Sequence, residues 1–204
     1  MQPQRETPLL QLTRVSKRFG TTQALRDISL TVRPGERIAL IGPSGAGKST
    51  LLGILNTSLT PDSGSYEWKG ADVASLPHKK LLEIRRAIGT IYQRFHLTEN
   101  LAVIHNLNAG RIAPWSFARS LVSLLFPREI KASRKILESV GIPEKLFSRT
   151  GDLSGGQMQR VAIARVIAQN PELILADEIT ASVDPERARR VMDLIVRLSR
   201  EGGK

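Results

Sequence analysis

Cysteine is absent from the 204 residues, so neither a disulfide framework nor a thiolate metal site can be built. That absence is compatible with the cytoplasm without proving it. Aromatic residues supply only 4% of the chain, so the core of a sequence that is 41% apolar must rest on Leu, Ile, Val and Ala. Long apolar runs are missing too: nothing approaches the roughly 20 residues needed to cross a bilayer, and Leu121 to Phe126 is the most suggestive stretch. Met1 to Pro8 is polar, carries Glu6, and lacks the basic start and apolar stretch of a secretory signal. Acidic residues are in deficit, 19 against 30 Lys and Arg, which leaves a net charge of +11. Such a surface attracts nucleotides, nucleic acids and anionic lipid alike, or is only a soluble Arg-rich face. The basic residues are scattered, and neither an RNA-reading aromatic motif nor zinc-finger spacing is present, so no nucleic-acid partner is expected. The length suits one compact domain with an inserted subdomain.

What is present reads as alternating strands and helices. Leu9 to Val15 and Ile28 to Val32 predict short strands around a turn-like Phe19-Gly20-Thr21-Thr22. After the Pro34-Gly35 turn, Glu36 to Ile41 predicts an apolar buried strand that enters a glycine-rich loop. Lys48 to Asn56 predicts a helix, with Leu51, Leu52 and Leu55 at helical spacing. Pro61-Asp62-Ser63-Gly64 predicts a turn, Ser65 to Lys69 a strand, Leu81 to Arg86 a helix and Ile88 to Tyr92 a strand. From Thr98 to about Asn170 the pattern is helical, broken at Pro114, Pro127, Pro143 and Gly155-Gly156. A strand returns at Leu173 to Ala176, and Pro185 to Leu198 predicts a closing helix capped by Asp184. The fold expected is α/β: a nucleotide core with antiparallel strands at the start and a helical arm in the middle.

The chemistry concentrates in three places. Gly42-Pro43-Ser44-Gly45-Ala46-Gly47-Lys48-Ser49-Thr50 meets the spacing G-x-x-x-x-G-K-S, with a predicted strand before it and a helix after it. The glycines let the backbone curl so that N–H groups face phosphate oxygens, and the helix start adds its own. Lys48 can reach the β- and γ-phosphates, and the Ser49 hydroxyl can ligate Mg²⁺. The strand Leu173-Ile174-Leu175-Ala176 ends in Asp177-Glu178. In phosphate-loop enzymes such an Asp holds the Mg²⁺ shell, and the following Glu can polarise a water for attack on the γ-phosphate; a capping pair after a strand is the plainer alternative. Finally, Leu153-Ser154-Gly155-Gly156-Gln157-Met158-Gln159-Arg160 opens a helix with a serine and two glycines, a second anion-suited corner. One chain has no need of two γ-phosphate sites, so this corner suits a nucleotide held by another copy.

Taken in this order, the motifs closely resemble the ATP-binding subunits of ABC transporters over essentially the whole chain. The resemblance implies a single ATPase domain: a phosphate-loop NTPase core with an antiparallel β subdomain (1–92 and 171–204) and a helical signature subdomain (93–170). It implies that Phe19 stacks on adenine, although a strand-edge core Phe is the alternative. Gln93, within Ile91-Tyr92-Gln93-Arg94-Phe95, matches the glutamine that contacts Mg²⁺ and the attacking water, or is an exposed loop Gln. Ala181-Ser182-Val183-Asp184 resembles the loop that touches the opposite subunit's site, a role compatible with Asp184 as a helix cap. Two departures stand out. Ile179 occupies the place where the family usually has Pro after the catalytic Glu. The chain also ends at Lys204, before the family's switch histidine, and none of His78, His96 or His105 lies in that place; the expectation is either a truncated chain, favoured by Gly202-Gly203-Lys204 reading as cut in mid-turn, or a shortened, impaired relative.

Within the family, the nearest resemblance is to the ATPase of phosphonate importers. It is carried by Ala109-Gly110-Arg111, Trp115, the Leu121–Phe126 region, Val140-Gly141-Ile142 and Lys145, and by Leu175-Ala176-Asp177-Glu178, Ala181-Ser182-Val183-Asp184-Pro185 and Arg190-Val191-Met192-Asp193. It implies a homodimer formed on ATP binding, integral membrane permease partners, an indirect link to a substrate-binding protein, and a peripheral place on the cytoplasmic face of the inner membrane. Catalysis would rest on Glu178, Gln93 and Lys48, with Ser49, Gln93 and Asp177 around Mg²⁺. ATP would be held by Phe19, Gly42 to Thr50 and, from the second copy, Ser154, Gly155, Gly156 and Gln157. The competing expectations are an ATPase of another importer, a non-transport ATP switch, or a nucleotide-binding module that has lost turnover.

Overall fold

The computed structural model describes residues 7–111, 129–177, 189 and 193–196. The chain separates into two compact units that divide between Ile88 and Gly89.

The first unit is built on a four-stranded antiparallel sheet of order β2-β1-β3-β4, made from β1 (Leu10–Phe19), β2 (Thr22–Val32), β3 (Ser63–Trp68) and β4 (Ala71–Asp72). Leu10, Leu12 and Val15 of β1 are buried, Val15 after a register shift. β1 and β2 run all the way to the turn, where Phe19 opposes Thr22 and Gly20 takes φ +57°. A two-residue hairpin demands that positive φ, and glycine supplies it without a Cβ penalty. Apart from Phe19, Ala24 and Leu25, residues 16–19 and 22–27 are polar and do not alternate regularly, so their strand character comes mainly from pairing with each other. β3 crosses β1 so closely that a Cβ on Gly64 would lie 2.4 Å from Arg14 O.

α1 (Lys48–Leu55) buries Leu51, Leu52, Ile54 and Leu55, matching the predicted helix almost residue for residue. The buried Tyr66 of β3 donates its hydroxyl to Leu55 O at 2.8 Å, tying sheet to helix end. α2 (His78–Ala87) starts after Pro77, buries Ile84, and sends Arg85 to Thr57 Oγ1 and O at 2.9 Å each.

One predicted strand does not form. Residues 36–41 carry no strand, and Ile38, Leu40 and Ile41 are exposed, Ile41 by 96%. An apolar run states a demand for burial but supplies no neighbour. A strand needs backbone partners beside it, and among the described residues none of the strands pairs with this segment.

The second unit has its own core. β5 (Ile88–Ile91) pairs with β6 (Leu173–Ala176). α3 (Val103–Ala109), α4 (Ile130–Ser139) and α5 (Gly155–Gln169) bury Val103, Ile104, Leu107, Leu137, Val161, Ile163, Ala164 and Val166 around Leu146 and Leu153. Among the described residues, the helical pattern expected from Thr98 onward resolves into these three helices, with two short 3-10 turns, Pro143–Lys145 and Thr150–Asp152, between α4 and α5. Gly110 ends α3 where a Cβ would stand 2.6 Å from Arg165 O, so α3 and α5 approach at backbone distance. Asn106 is buried and fully used: it accepts from Thr98 N and donates to Thr98 O and Thr150 Oγ1 at 2.8, 3.0 and 2.9 Å. Of the predicted closing helix, residues 189 and 193–196 are described and are helical, with Leu194 and Ile195 packed on this core. Trp115 and Leu121 to Phe126 lie outside the described residues.

Candidate functional site

In the first unit, Gly42 to Ala46 form an exposed loop that leads through Gly47 into α1. Gly45 and Gly47 take φ +79° and +85°, values that favour glycine. Gly47 caps α1 with no side chain. A Cβ on Gly47 would sit 2.4 Å from Ala24 O of β2, so the loop is drawn tight against that strand. Ala46 N–H donates to Pro43 O at 3.2 Å and closes the loop on itself. The Lys48 ammonium folds back over it and donates to Gly42 O and Pro43 O, both at 2.9 Å. The cation thus already overlies the cradle, held by carbonyls that a phosphate oxygen can replace. Ser49 is exposed, Thr50 half-buried, and Pro43 and Ser44 are exposed on the loop.

Phe19 stands at the hairpin tip of the same unit and is 48% exposed. That exposure favours a stacking surface over a core residue. Lys17 Nζ lies 5.7 Å from the ring centroid and is held by Asp62 at 2.6 Å. Asp62 also accepts from Arg18 N at 2.7 Å. The Lys17 hydrogen bond, then the Arg18 amide, hold the Asp62 carboxyl below its usual range.

In the second unit, Asp177 N–H donates to Ile91 O at 3.0 Å, which sets the carboxyl ends of β5 and β6 side by side. Asp177 therefore leaves one strand end, and Gln93 lies two residues past the other, exposed on a turn. Glu178, Ile179 and Ala181-Ser182-Val183-Asp184 lie outside the described residues.

The serine-glycine corner opens α5. Ser154 Oγ accepts from Gln157 N at 3.3 Å, and Gln157 Oε1 accepts from Ser154 N at 2.9 Å, a reciprocal capping box. Ser154, Gly155 and Gly156 are exposed, and a Cβ added at either glycine would meet nothing within 4 Å. The corner faces outward, where a second molecule can reach it.

One residue escaped the sequence reading. Arg165 is the sole cation in the apolar run Val161-Ala162-Ile163-Ala164-Arg165-Val166-Ile167, a placement that could have drawn attention. It donates to His96 O at 2.6 Å and Phe95 O at 2.9 Å. Burial pulls its pKa below the ordinary guanidinium value, opposed by the charge of Tyr92.

Among the described residues, no cluster of three or more His, Cys, Asp and Glu side chains is placed to hold a metal. Ser49 in the first unit, and Gln93 and Asp177 in the second, each carry a hard oxygen donor of the kind Mg²⁺ takes.

The ABC transporter family profile matches residues 25–181. The phosphonates import ATP-binding protein PhnC of Anaeromyxobacter dehalogenans is 47% identical over 190 residues, which is 93% of this chain and 38% of the relative. The protein of the same name from Wolinella succinogenes is 42% identical over 194 residues, 95% of this chain and 70% of the relative. The chain thus spans well under half of the first relative and about two thirds or more of the second. Among solved structures, cbiO1 from Clostridium perfringens, part of the ABC transporter complex cbiONQ, superposes with a TM-score of 0.79 at 28% identity, over 97% of this chain and 76% of that one. The dimeric ATP-binding cassette MJ0796 in a post-hydrolysis state with ADP and Pi superposes with a TM-score of 0.76 at 31% identity, over 96% of this chain and 84% of that one. With the phosphate loop, the acidic strand end and the exposed signature corner in family order, the chain belongs to the ATP-binding subunits of ABC transporters.

Proposed function

We propose that this chain is the ATP-hydrolysing subunit of an importer that moves phosphonate, or a related phosphorus oxyanion, through a membrane permease. The observation that carries the reading is the open Gly155-Gly156 corner. A capped helix start with open space beside both glycines, in a chain that already has a complete phosphate loop, is suited to grip a nucleotide bound to another copy. The names of the relatives from Anaeromyxobacter and Wolinella support the transported class.

On this reading two copies enclose two ATP molecules at a shared face. Phe19 stacks on adenine. Lys48 leaves its two loop carbonyls for the β- and γ-phosphates, and the Gly42 to Thr50 backbone holds the remaining oxygens. Ser154, Gly155, Gly156 and Gln157 come from the second copy and complete the pocket. Mg²⁺, when bound, neutralises the charge that spreads over the phosphate oxygens during transfer. Ser49, Asp177 and Gln93 would hold it. Glu178 takes the proton of the attacking water as general base. Phosphoryl transfer otherwise needs positioning and charge neutralisation, which these residues supply. The helical arm over residues 93–170 docks on permease subunits at the cytoplasmic face of the inner membrane, and a substrate-binding protein delivers the cargo to that permease.

A phosphate-release assay on the purified protein tests this. Lys48→Ala should weaken nucleotide binding itself. Glu178→Gln should retain binding and lower turnover by about 100-fold or more. Near-normal turnover of that variant removes Glu178 from its role, while absence of turnover in the parent protein favours the nucleotide module that has lost hydrolysis. Identification of the permease that co-purifies settles the cargo class.

A further inference from the structure

The loop between β5 and α3 is bent in a way its own sequence does not favour. Phe95 and His96 take φ +55° and +47°, the left-handed region that side chains disfavour. No glycine relieves either position. Local bonds contribute: Phe95 N–H donates to Tyr92 O at 3.0 Å and His96 N–H to Arg94 O at 2.6 Å. The Tyr92 and His96 rings stack across the bend with centroids 4.4 Å apart. The remaining support comes from far along the chain. Both strained carbonyls, Phe95 O and His96 O, accept from the guanidinium of Arg165 in α5, at 2.9 and 2.6 Å. Gln93 lies exposed on this same bend.

We propose that Arg165 is a positioning residue for Gln93, holding the loop 92–96 in the backbone conformation that presents Gln93 and fixing it to the helix that begins at Ser154. The inference rests on the reading that Gln93 serves the nucleotide. The physical case is one of fit. Two carbonyls turned to the same side by consecutive left-handed residues match the planar fork of an arginine. A lysine ammonium is a point charge on a flexible stem and cannot span both with the same rigidity. Both bonds are charge-assisted and so stronger than neutral ones; the one to Phe95 O is partly buried and the one to His96 O is exposed. Arg165 lies ten residues after Gly155 on one uninterrupted helix, about 15 Å along its axis. A helix is stiff over that length, so a load on the Ser154 corner reaches the loop through a rigid element.

The test is a double-mutant cycle on turnover with nucleotide affinity measured alongside, using Gln93→Ala, Arg165→Met, Arg165→Lys and the paired variants in the intact protein. Gln93→Ala is expected to lower kcat by about 10- to 100-fold. Arg165→Met is expected to lower kcat comparably while leaving the KM for ATP within about twofold, because the phosphate loop is untouched. Arg165→Lys should fall between, and neither Arg165 change should lower kcat further once Gln93 is alanine. If Gln93→Ala keeps full turnover, the reading of Gln93 fails and the proposal with it. If Gln93→Ala is impaired but the Arg165 variants are not, or if the two losses multiply, Gln93 keeps its role and Arg165 loses the one assigned to it. Should Arg165→Met not fold, Arg165→Lys carries the same cycle, and wild-type turnover in that variant overturns the proposal.

Discussion

Lys48 is held by two carbonyls of its own loop, so its charge is stationed over the cradle before any ligand arrives. Its removal should therefore cost affinity and not merely rate. Nucleotide titration of Lys48→Ala by fluorescence is expected to show binding weakened by about 10-fold or more, as loss of a charge-assisted contact implies. Tyr66 shows how one hydroxyl can matter far from chemistry. Its burial raises its pKa above any physiological range, so it stays a neutral donor to Leu55 O. Tyr66→Phe should leave that carbonyl without its donor and lower stability by about 1–2 kcal/mol in urea unfolding, with the m-value unchanged. Lys48 and Ser49 stood out as candidates from the loop spacing and Asp177 from the acidic end of an apolar strand, whereas Gln93 was a candidate only through the family resemblance. Arg165 was not, because its partners are the backbone of a loop 69 and 70 residues away.

At the level of elements, α5 is the α-helix among the described residues whose start is capped by a side chain. Its capping box satisfies two amides reciprocally, and Ser154→Ala should cost about 1 kcal/mol of stability, read by thermal unfolding. The hairpin of β1 and β2 is joined to β3 through Lys17, Arg18 and Asp62. The folded-state pKa of Asp62 is depressed below the ordinary aspartate value. Its contribution is thus fully present above that value and is lost as pH falls through the lower folded-state value. Unfolding followed across the acid range should show Asp62→Asn less sensitive than the parent protein below about pH 4, and alike in slope above it. Helix α1 and strand β6 were readable because apolar spacing and end signals agree. The outer halves of β1 and β2 were not, because cross-strand pairing decides polar segments. Residues 36–41 show the converse: their apolar run predicted a buried strand, yet Ile41 is exposed by 96% because no described strand lies alongside.

For the whole molecule, the exposed corner makes a separable prediction. Gly155 and Gly156 have open space where a Cβ would go. Gly156→Ala should leave the unfolding temperature of the single chain no lower, while ATP-driven assembly and turnover fall. Size-exclusion chromatography in ATP, in a Glu178→Gln background that retains nucleotide, checks it; unimpaired assembly counts against a nucleotide shared between copies. The amino-acid sequence by itself determined the chemistry: a phosphate cradle, an acidic strand end and a second anion-suited helix start, each recognisable because local backbone geometry and residue type suffice. Only the tertiary structure decided which of these features face solvent. It left Gly155-Gly156 open, turned Phe19 outward, and placed Arg165 beneath the bend that carries Gln93. Exposure and long-range hydrogen bonds depend on which elements pack together, and that information is spread over residues far apart in the chain.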